Sequence, residues 1–311
     1  FLMWVVTGIS TGLTQGFSIQ LSQYYGAKDF ENLRKSLAHS YRLTAFIAVG
    51  VLILSQSFAS LVLTGLHTPS NIIGMSLLYL RIIFCGIPAT AAYNMFASAL
   101  RAMGNSKTPL TAMIIASVLN VSLDILFVAG FGWGVAGAAI ATVIAQSFSA
   151  VYCLLILRRI DIVHLTKADF MPASGMNARL MKLGIPVVFQ NIIIGVGGLV
   201  VQYVINGYGF LFVAGFTATN KLYGLLEMAA ISYGYAIVTY VGQNLGAGKI
   251  DRIRKGVRSS MLLSLLTSLI ISAAMFLFGK NILSLFISGE PQQTQEVLAI
   301  AFKYLSIMAA M

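Results

Sequence analysis

The stretch SQYYGAKDFENLRKSLAHS at positions 22–40 recurs as GQNLGAGKIDRIRKGVRSS at positions 242–260. Six pairs are identical at a constant offset of 220: Gln23/Gln243, Gly26/Gly246, Ala27/Ala247, Arg34/Arg254, Lys35/Lys255 and Ser40/Ser260. Each copy closes an apolar segment of about 20 residues, which is the length that crosses a bilayer. Internal repeats of this size are typical of secondary transporters. The sequence therefore predicts a chain with two homologous parts.

The composition indicates a polytopic membrane protein. Of the 311 residues, 58% are hydrophobic and 9% are charged, whereas soluble domains carry about 25% charged residues. We predict an all-α polytopic membrane fold. Nine spans are expected, roughly at 1–25, 40–64, 73–99, 109–130, 134–157, 183–206, 217–244, 259–279 and 295 to the end.

The basic residues lie in alternate loops. Fifteen of the 20 Lys and Arg residues follow the first, third, fifth and seventh predicted spans. The positive-inside rule places these loops in the cytoplasm, so the net charge of +11 reflects membrane orientation and no nucleic-acid partner is expected. We expect a monomer in the cell inner (plasma) membrane, with His39 and His164 at its cytoplasmic surface.

A polar stretch separates two apolar blocks. We interpret 1–157 as a first lobe, 158–182 as a cytoplasmic inter-lobe linker and 183–311 as a second lobe. Because both repeat copies follow a span that runs inward, a pseudo-two-fold axis along the membrane normal is expected to relate the lobes. The repeat offset predicts that a complete protein has two homologous six-helix lobes and therefore twelve spans. About nine are present, helices 2 to 6 and 7 to 10, so we expect a fragment that lacks the first helix and the last part of the second lobe.

Gly132, Gly134 and Gly137 match the dinucleotide-binding pattern G-x-G-x-x-G. That pattern needs a preceding strand and an acidic residue about 20 positions further on, and neither is found here. Close packing of helices through small residues explains the glycines better. No phosphate-binding G-x-x-x-x-G-K-[ST] sequence occurs. We therefore predict no enzyme activity, no catalytic residue and no bound cofactor.

Asp124 lies well inside the fourth predicted span, about 24 Å of helix from its start. An ionisable residue at such depth is costly and usually marks an ion or proton path. Asn120 lies one helical turn earlier on the same side, where it can bond the carboxyl group or ligate a cation. We predict ion coupling at Asp124; the alternative is a static acid that packs helices.

Other polar residues inside the predicted spans are weaker candidates. Glu227 either couples an ion, pairs with another helix or snorkels outward. The candidates for a substrate cavity are Arg81, Gln190, Asn191, Gln202, Lys221 and Tyr223. For Arg81 the alternative is snorkelling, and for the amides it is hydrogen bonding between helices. Cys85 and Cys153 lie singly in spans, so no disulfide and no metal cluster are predicted.

Six segments together resemble the multidrug and toxic compound extrusion (MATE) family. They are SQYYGAKDFENLRK at 22–35, YLRIIFCGIP at 79–88, YNMFASALRAMGNSKTP at 93–109, LNVSLDILFVAGFGWGVAGAAIAT at 119–142, LGIPVVFQN at 183–191 and VGQNLGAGKIDRIRK at 241–255. The resemblance covers nearly the whole chain.

This resemblance implies two lobes around a central cavity and export of organic cations and drugs in exchange for H+ or Na+. It also implies a cation site at Asn120, Asp124 and Thr142, where Na+ bound by Asp124 and Asn120 is the alternative to a proton. An acid that some members carry in the seventh helix has no counterpart in 183–206, which draws attention to Glu227.

Three functions remain open. A cation-coupled exporter of small organic cations or drugs, working by alternating access among membrane lipids, accounts for the buried acids. A flippase for lipid-linked oligosaccharide or polysaccharide, on a related two-lobed fold, would need several basic cavity residues, and only Arg81 and Lys221 qualify. A non-transporting assembly or sensor protein would not need a buried acid in each lobe.

Overall fold

The computed structural model describes residues 2–65, 70–284, 286–287 and 291–310. Within these ranges the chain forms ten α-helices: α1 (Leu2–Gly26), α2 (Phe30–Gly65), α3 (Ser70–Cys85), α4 (Ile87–Ala102), α5 (Lys107–Asp124), α6 (Gly134–Arg158), α7 (Met176–Asn206), α8 (Phe210–Gly246), α9 (Ile250–Ser284) and α10 (Pro291–Ala310). A π-helical turn, Ile125–Gly130, continues α5. Two short 3-10 turns, Asp161–Val163 and Lys167–Phe170, lie between α6 and α7. The described ranges contain no strand, which confirms the all-α prediction.

Most of the helices match the predicted spans. Six described segments are long and apolar enough to cross a membrane: α2, α5 with its π-helical turn, α6, α7, α8 and α9. A seventh is formed by α3 and α4 if this pair, bent by 41°, is taken as one span. Pro88, the second residue of α4, follows the bend; it lacks an amide hydrogen and so cannot continue the helical hydrogen bonds from α3. The predicted first and last spans correspond to α1 and α10, which are not among the candidate spans found in the described residues.

The described structure divides into two compact units. Unit 1 comprises Phe1–Gly195 and Gly242–Gly248, and unit 2 comprises Val196–Val241 and Lys249–Met311. In unit 1, α4 packs against α1, α2 and α6, while α5 packs against α6. Its core includes the fully buried side chains of Phe17, Met95 and Leu100. The predicted lobe bounds, 1–157 and 183–311, stay a prediction.

In unit 2, α9 packs against α10. Leu222 of α8, Leu283 of α9 and Leu305 of α10 share one buried apolar cluster. The hydroxyl of Thr219 donates to the carbonyl oxygens of Gly215 and Ala301. Apolar burial and a buried hydrogen bond therefore both join α8 to α10.

The predicted linker packs against α2. The His39 ring nitrogens lie 2.7 Å from the Asn177 Oδ1 and 3.1 Å from the Met171 carbonyl oxygen. Arg42 donates to the Phe170 carbonyl oxygen at 2.8 Å. Because the linker covers it, His39 is 1% exposed, and its predicted surface position is wrong. His164 is exposed, as predicted.

The two repeat copies have the same helix boundaries. In the first copy, α1 ends at Gly26 and α2 begins at Phe30; in the second, α8 ends at Gly246 and α9 begins at Ile250. Both boundaries keep the offset of 220 residues. The repeated sequence therefore specifies the same helix–turn–helix segment twice.

The turn itself also repeats, with one difference in side chain. The backbone φ angle is 58° at Lys28 and 69° at the corresponding Gly248. Left-handed backbone suits glycine at a helix C-terminus and disfavours residues with a Cβ atom. The first copy therefore keeps the turn at a cost that the second copy avoids.

This difference between Lys28 and Gly248 predicts that substitutions at the two positions have opposite effects on the free energy of unfolding. Lys28→Gly should stabilise the protein by about 1 kcal/mol, because it removes the left-handed backbone penalty, and Gly248→Ala should destabilise it by a similar amount, because it introduces that penalty. Thermal unfolding in detergent micelles measures both changes. Lys28→Ala is the control, since it removes the charge and keeps the penalty. A loss of stability in Lys28→Gly would contradict the assignment.

Candidate functional site

Asp124 lies where the regular helix ends. It is the last residue of α5, and the π-helical turn begins at Ile125. The residue is half-buried, and within the described structure its buried Oδ1 atom has no hydrogen-bond partner. π-Helical turns are rare and are frequent at functional sites. A buried carboxylate oxygen without a partner is costly, so this position favours binding of a proton or a cation.

Asn120, on the same helix as Asp124, contacts Thr142 of α6. The Asn120 Nδ2 atom donates to the Thr142 Oγ1 atom at 3.5 Å, a long hydrogen bond that joins α5 to α6. The Thr142 hydroxyl donates to the Ala138 carbonyl oxygen at 3.0 Å. The structure thus brings two of the three predicted cation-site residues into contact. Asp124 follows Asn120 by one turn of α5.

Close packing supports the π-helical turn. The rings of Phe127, Phe131 and Trp133 have centroids between 5.0 and 6.0 Å apart. A Cβ atom on Gly137 would lie 3.0 Å from the Phe127 Cβ and 3.1 Å from the Trp133 Cβ. Gly137 therefore serves close packing, as predicted. The prediction of close packing is wrong for Gly132 and Gly134: a Cβ atom at either would meet no atom of the described residues within 4 Å. Their φ angles of 68° and 52° show that they serve the turn into α6.

The side chains near Asp124 are suited to a hard cation or a proton. Asp124 supplies a carboxylate, Asn120 an amide oxygen and Thr142 a hydroxyl oxygen, and hard cations prefer oxygen ligands. The long Asn120–Thr142 bond uses the amide N–H group and leaves the amide oxygen as an acceptor. The unpartnered Asp124 Oδ1 supplies the negative charge. A monovalent cation or one proton would satisfy that atom.

Unit 2 contains a cavity with both polar and apolar lining residues, one of which is the predicted acid Glu227. Its volume is about 230 Å³, and Tyr223 lines it together with Glu227. Tyr233, whose hydroxyl lies 2.7 Å from the Thr267 Oγ1 atom, is also part of its wall. The structure therefore brings the predicted residues Tyr223 and Glu227 to one cavity.

Sequence reasoning missed the hydroxyl groups of α9 that face Glu227. Ser264, Thr267, Ser268 and Ser272 all line the cavity. Their spacing of three and four residues places them on one helix face, and this pattern was available in the sequence. Together they form a polar stripe in the apolar middle of α9, on the wall of the cavity that Glu227 also lines.

The remaining predicted cavity residues are scattered. Arg81 is exposed on α3, Gln190 is exposed on α7 and Lys221 is exposed on α8. The Asn191 Nδ2 atom donates to the Gly8 carbonyl oxygen at 3.0 Å, so Asn191 bonds a neighbouring helix within unit 1. Gln202 donates to Asn206 of its own helix at 2.8 Å. None of these five lines the cavity of Glu227 as described.

Known proteins resemble the chain in sequence and in fold. The probable multidrug resistance protein YpnP of Bacillus subtilis is 31% identical over 308 residues, which are 99% of this chain and 68% of YpnP. The multidrug export protein MepA of Staphylococcus aureus is 22% identical over 289 residues, which are 92% of this chain and 63% of MepA.

A solved structure of a MOP superfamily transporter from Pyrococcus furiosus covers 99% of this chain, with a TM-score of 0.90 at 20% identity, and this chain covers 69% of it. That transporter is described as having a binding pocket of reversed polarity that suggests a different function. At this identity the likeness shows the fold alone. The sequence model of the MatE family matches residues 1–126 and 186–311. On the strength of that match and of the 31% identity with YpnP, this chain belongs to the MatE family.

Proposed function

We propose that this protein exports small organic cations or drugs in exchange for H+ or Na+, and that Asp124 carries the coupling ion. The observation that carries the proposal is the buried Oδ1 atom of Asp124, which lies inside an apolar span and has no hydrogen-bond partner among the described residues. Acids in such positions commonly belong to ion pathways. The relatives named as multidrug resistance and export proteins support the direction and class of cargo.

Exchange of cargo for an ion requires that the net charge at Asp124 change during the transport cycle. With a proton or Na+ bound, the site is neutral and the apolar surroundings tolerate it; when the ion leaves, the bare carboxylate is costly there. Loading and unloading therefore shift the balance between inward-open and outward-open forms. Asn120 and Thr142 tune the site, because Asn120 can ligate the ion and Thr142 holds its amide.

Glu227 is proposed as a second coupling acid. It lines a cavity with two tyrosines and the hydroxyl stripe of α9, which provides oxygen atoms for a cation or hydrogen bonds for the protonated acid. Some MATE members carry an acid in the seventh helix, which has no counterpart in 183–206. Glu227 would supply the acid of the second lobe in its place. Each unit thus contains one proposed coupling acid.

The proposed location is the cell inner membrane, with the basic loops in the cytoplasm. Arg158 and Arg159 at the end of α6, and Lys249 and Arg252 after α8, illustrate the concentration of charge in these loops. Anionic lipids of the cytoplasmic leaflet favour this orientation. Organic cations would then leave against their gradient while H+ or Na+ enters.

Replacing the proposed coupling acid should abolish transport. In cells that carry the full-length protein, Asp124→Asn should reduce ethidium efflux to the level of cells without the transporter, since the amide cannot exchange a proton or hold Na+ by charge. Imposed H+ and Na+ gradients, tested separately, identify the ion. Asp251→Asn, which changes an exposed acid at the start of α9, is the control. Normal efflux in Asp124→Asn would contradict the proposal, and a wild type that exports no organic cation would favour the flippase.

The Thr142 hydroxyl should affect ion affinity more than maximal efflux. Thr142→Val should raise the ion concentration for half-maximal efflux by about threefold, because it removes one weak hydrogen bond to Asn120. Thr142→Ser keeps the hydroxyl and should leave that concentration unchanged. Equal values in the two variants would mean that the hydroxyl does not tune the site.

If Glu227 is a second coupling acid, its replacement should cause a separate loss of transport. Glu227→Gln should lower ethidium efflux at equal protein level, because the amide keeps the size of the side chain and loses its negative charge. Glu296→Gln, which alters an exposed acid of α10, should transport normally. If Glu227→Gln also transports normally, Glu227 is a packing residue and coupling rests on Asp124 alone.

A further inference from the structure

A large cavity lies inside unit 1, away from Asp124. We call it the linker cavity; its volume is about 870 Å³, and its walls come from α2, α4, the end of α6 and the linker. Ligand cavities typically measure about 300–1,000 Å³. The linker that covers it is fixed to α2 by the hydrogen bonds of His39 and Arg42. The linker wall of the cavity is therefore fixed to α2 by defined contacts.

The lining of the linker cavity is apolar along most of its length and basic at one end. Ala48, Ala91 and Met95 form part of the apolar wall, while Arg158 and His164 lie at the linker end. None of the described lining residues is acidic. An occupant that matches this lining has a long apolar part and an anionic group.

One buried polar group in the wall points to a ligand. Thr44 lines the cavity and is 7% exposed. In the described structure its buried hydroxyl oxygen has no hydrogen-bond partner. Leaving such a group unpaired is costly, and the ester carbonyl of a lipid would accept a hydrogen bond from it.

The linker cavity opens toward the apolar surface of α2. Val49 lines the cavity and is 49% exposed, and Phe46, three residues earlier on the same helix, is 83% exposed. In a membrane this face meets lipid chains, since such a surface would be unfavourable in water. An acyl chain can therefore enter sideways from the bilayer.

In the proposed membrane orientation, the basic end lies at the level of the cytoplasmic lipid head groups. Arg158 is the last residue of α6, and Arg159 follows it at the start of the linker. Basic pockets between membrane helices on the cytoplasmic side bind the head groups of acidic lipids. The same positive charge repels organic cations, so the linker cavity is not suited to the proposed cargo.

We propose that the linker cavity binds one acyl chain of an anionic phospholipid from the cytoplasmic leaflet, with its phosphate at Arg158. His164 lies beside the head group, and Thr44 donates to the ester region. The proposal rests on the membrane orientation given above and not on drug export. A lipid held here would join α2, α6 and the linker, and would make their packing depend on the lipid composition.

The test is lipid binding by the purified full-length protein, which needs no transport assay. Native mass spectrometry measures the affinity for phosphatidylglycerol and for phosphatidylcholine with the same acyl chains. The wild type should prefer phosphatidylglycerol, and Arg158→Gln should weaken its binding by about tenfold, because charge-assisted hydrogen bonds to the phosphate are lost. Arg159→Gln removes the adjacent charge, which does not line the cavity, and should bind normally.

Thr44→Val provides a second variant that keeps the shape of the side chain and removes its hydroxyl. It should also weaken phosphatidylglycerol binding while the thermal midpoint without lipid stays unchanged or rises. Equal affinity for the two phospholipids, or equal loss in Arg158→Gln and Arg159→Gln, would overturn the proposal. Binding of free oleate in preference to phosphatidylglycerol would overturn it as well, since the occupant would then be a fatty acid.

Discussion

The cost of a bare carboxylate inside an apolar helix is the constraint on which this account depends. Asp124 lies in a span of high hydropathy, and its buried Oδ1 atom has no partner in the described structure. A permanent ion pair would satisfy this atom but would prevent exchange. A site whose charge is balanced by a mobile proton or cation can still exchange that ion. Neighbouring neutral oxygen groups, rather than fixed positive charges, fit that requirement.

The surrounding fold keeps this acid close to its neighbours. α5 and α6 pack together, and Gly137 permits the π-helical turn and the start of α6 to approach closely. The π-helical turn is also a local backbone element that differs from its flanking helices. Because an α-helical arrangement of the same residues would rotate those that follow Asp124, this turn offers one way to couple the acid to helix movement.

The sequence was sufficient for the parts of the fold that depend on hydrophobic length and on repetition. The repeated segment predicted helix boundaries that recur at Gly26 and Gly246, and the apolar runs predicted the spans. His39 was misplaced because its burial is caused by the linker, a contact between segments far apart in the chain. The bend between α3 and α4 was also missed, because the apolar run was taken as one span although Pro88 within it lacks an amide hydrogen.

The candidate site was predictable only in part. Asp124 and Asn120 share a helix face, so their spacing was informative, and Thr142 came from a family resemblance. The contact between Asn120 and Thr142 depends on how two helices pack, which periodicity does not determine. For Glu227, the hydroxyl stripe of α9 was visible as a helical pattern, but which helix faces the acid is decided by tertiary packing.

The most direct test of the central claim is ion release by the purified full-length protein when an organic cation binds. If Asp124 carries a coupling ion, binding of the organic cation should release H+ or Na+, by the reciprocity of linked equilibria. Asp124→Asn should bind the cation and release about one ion per protein fewer than the wild type. Equal release from the wild type and from Asp124→Asn would contradict the account, because the exchanged ion would then be held elsewhere.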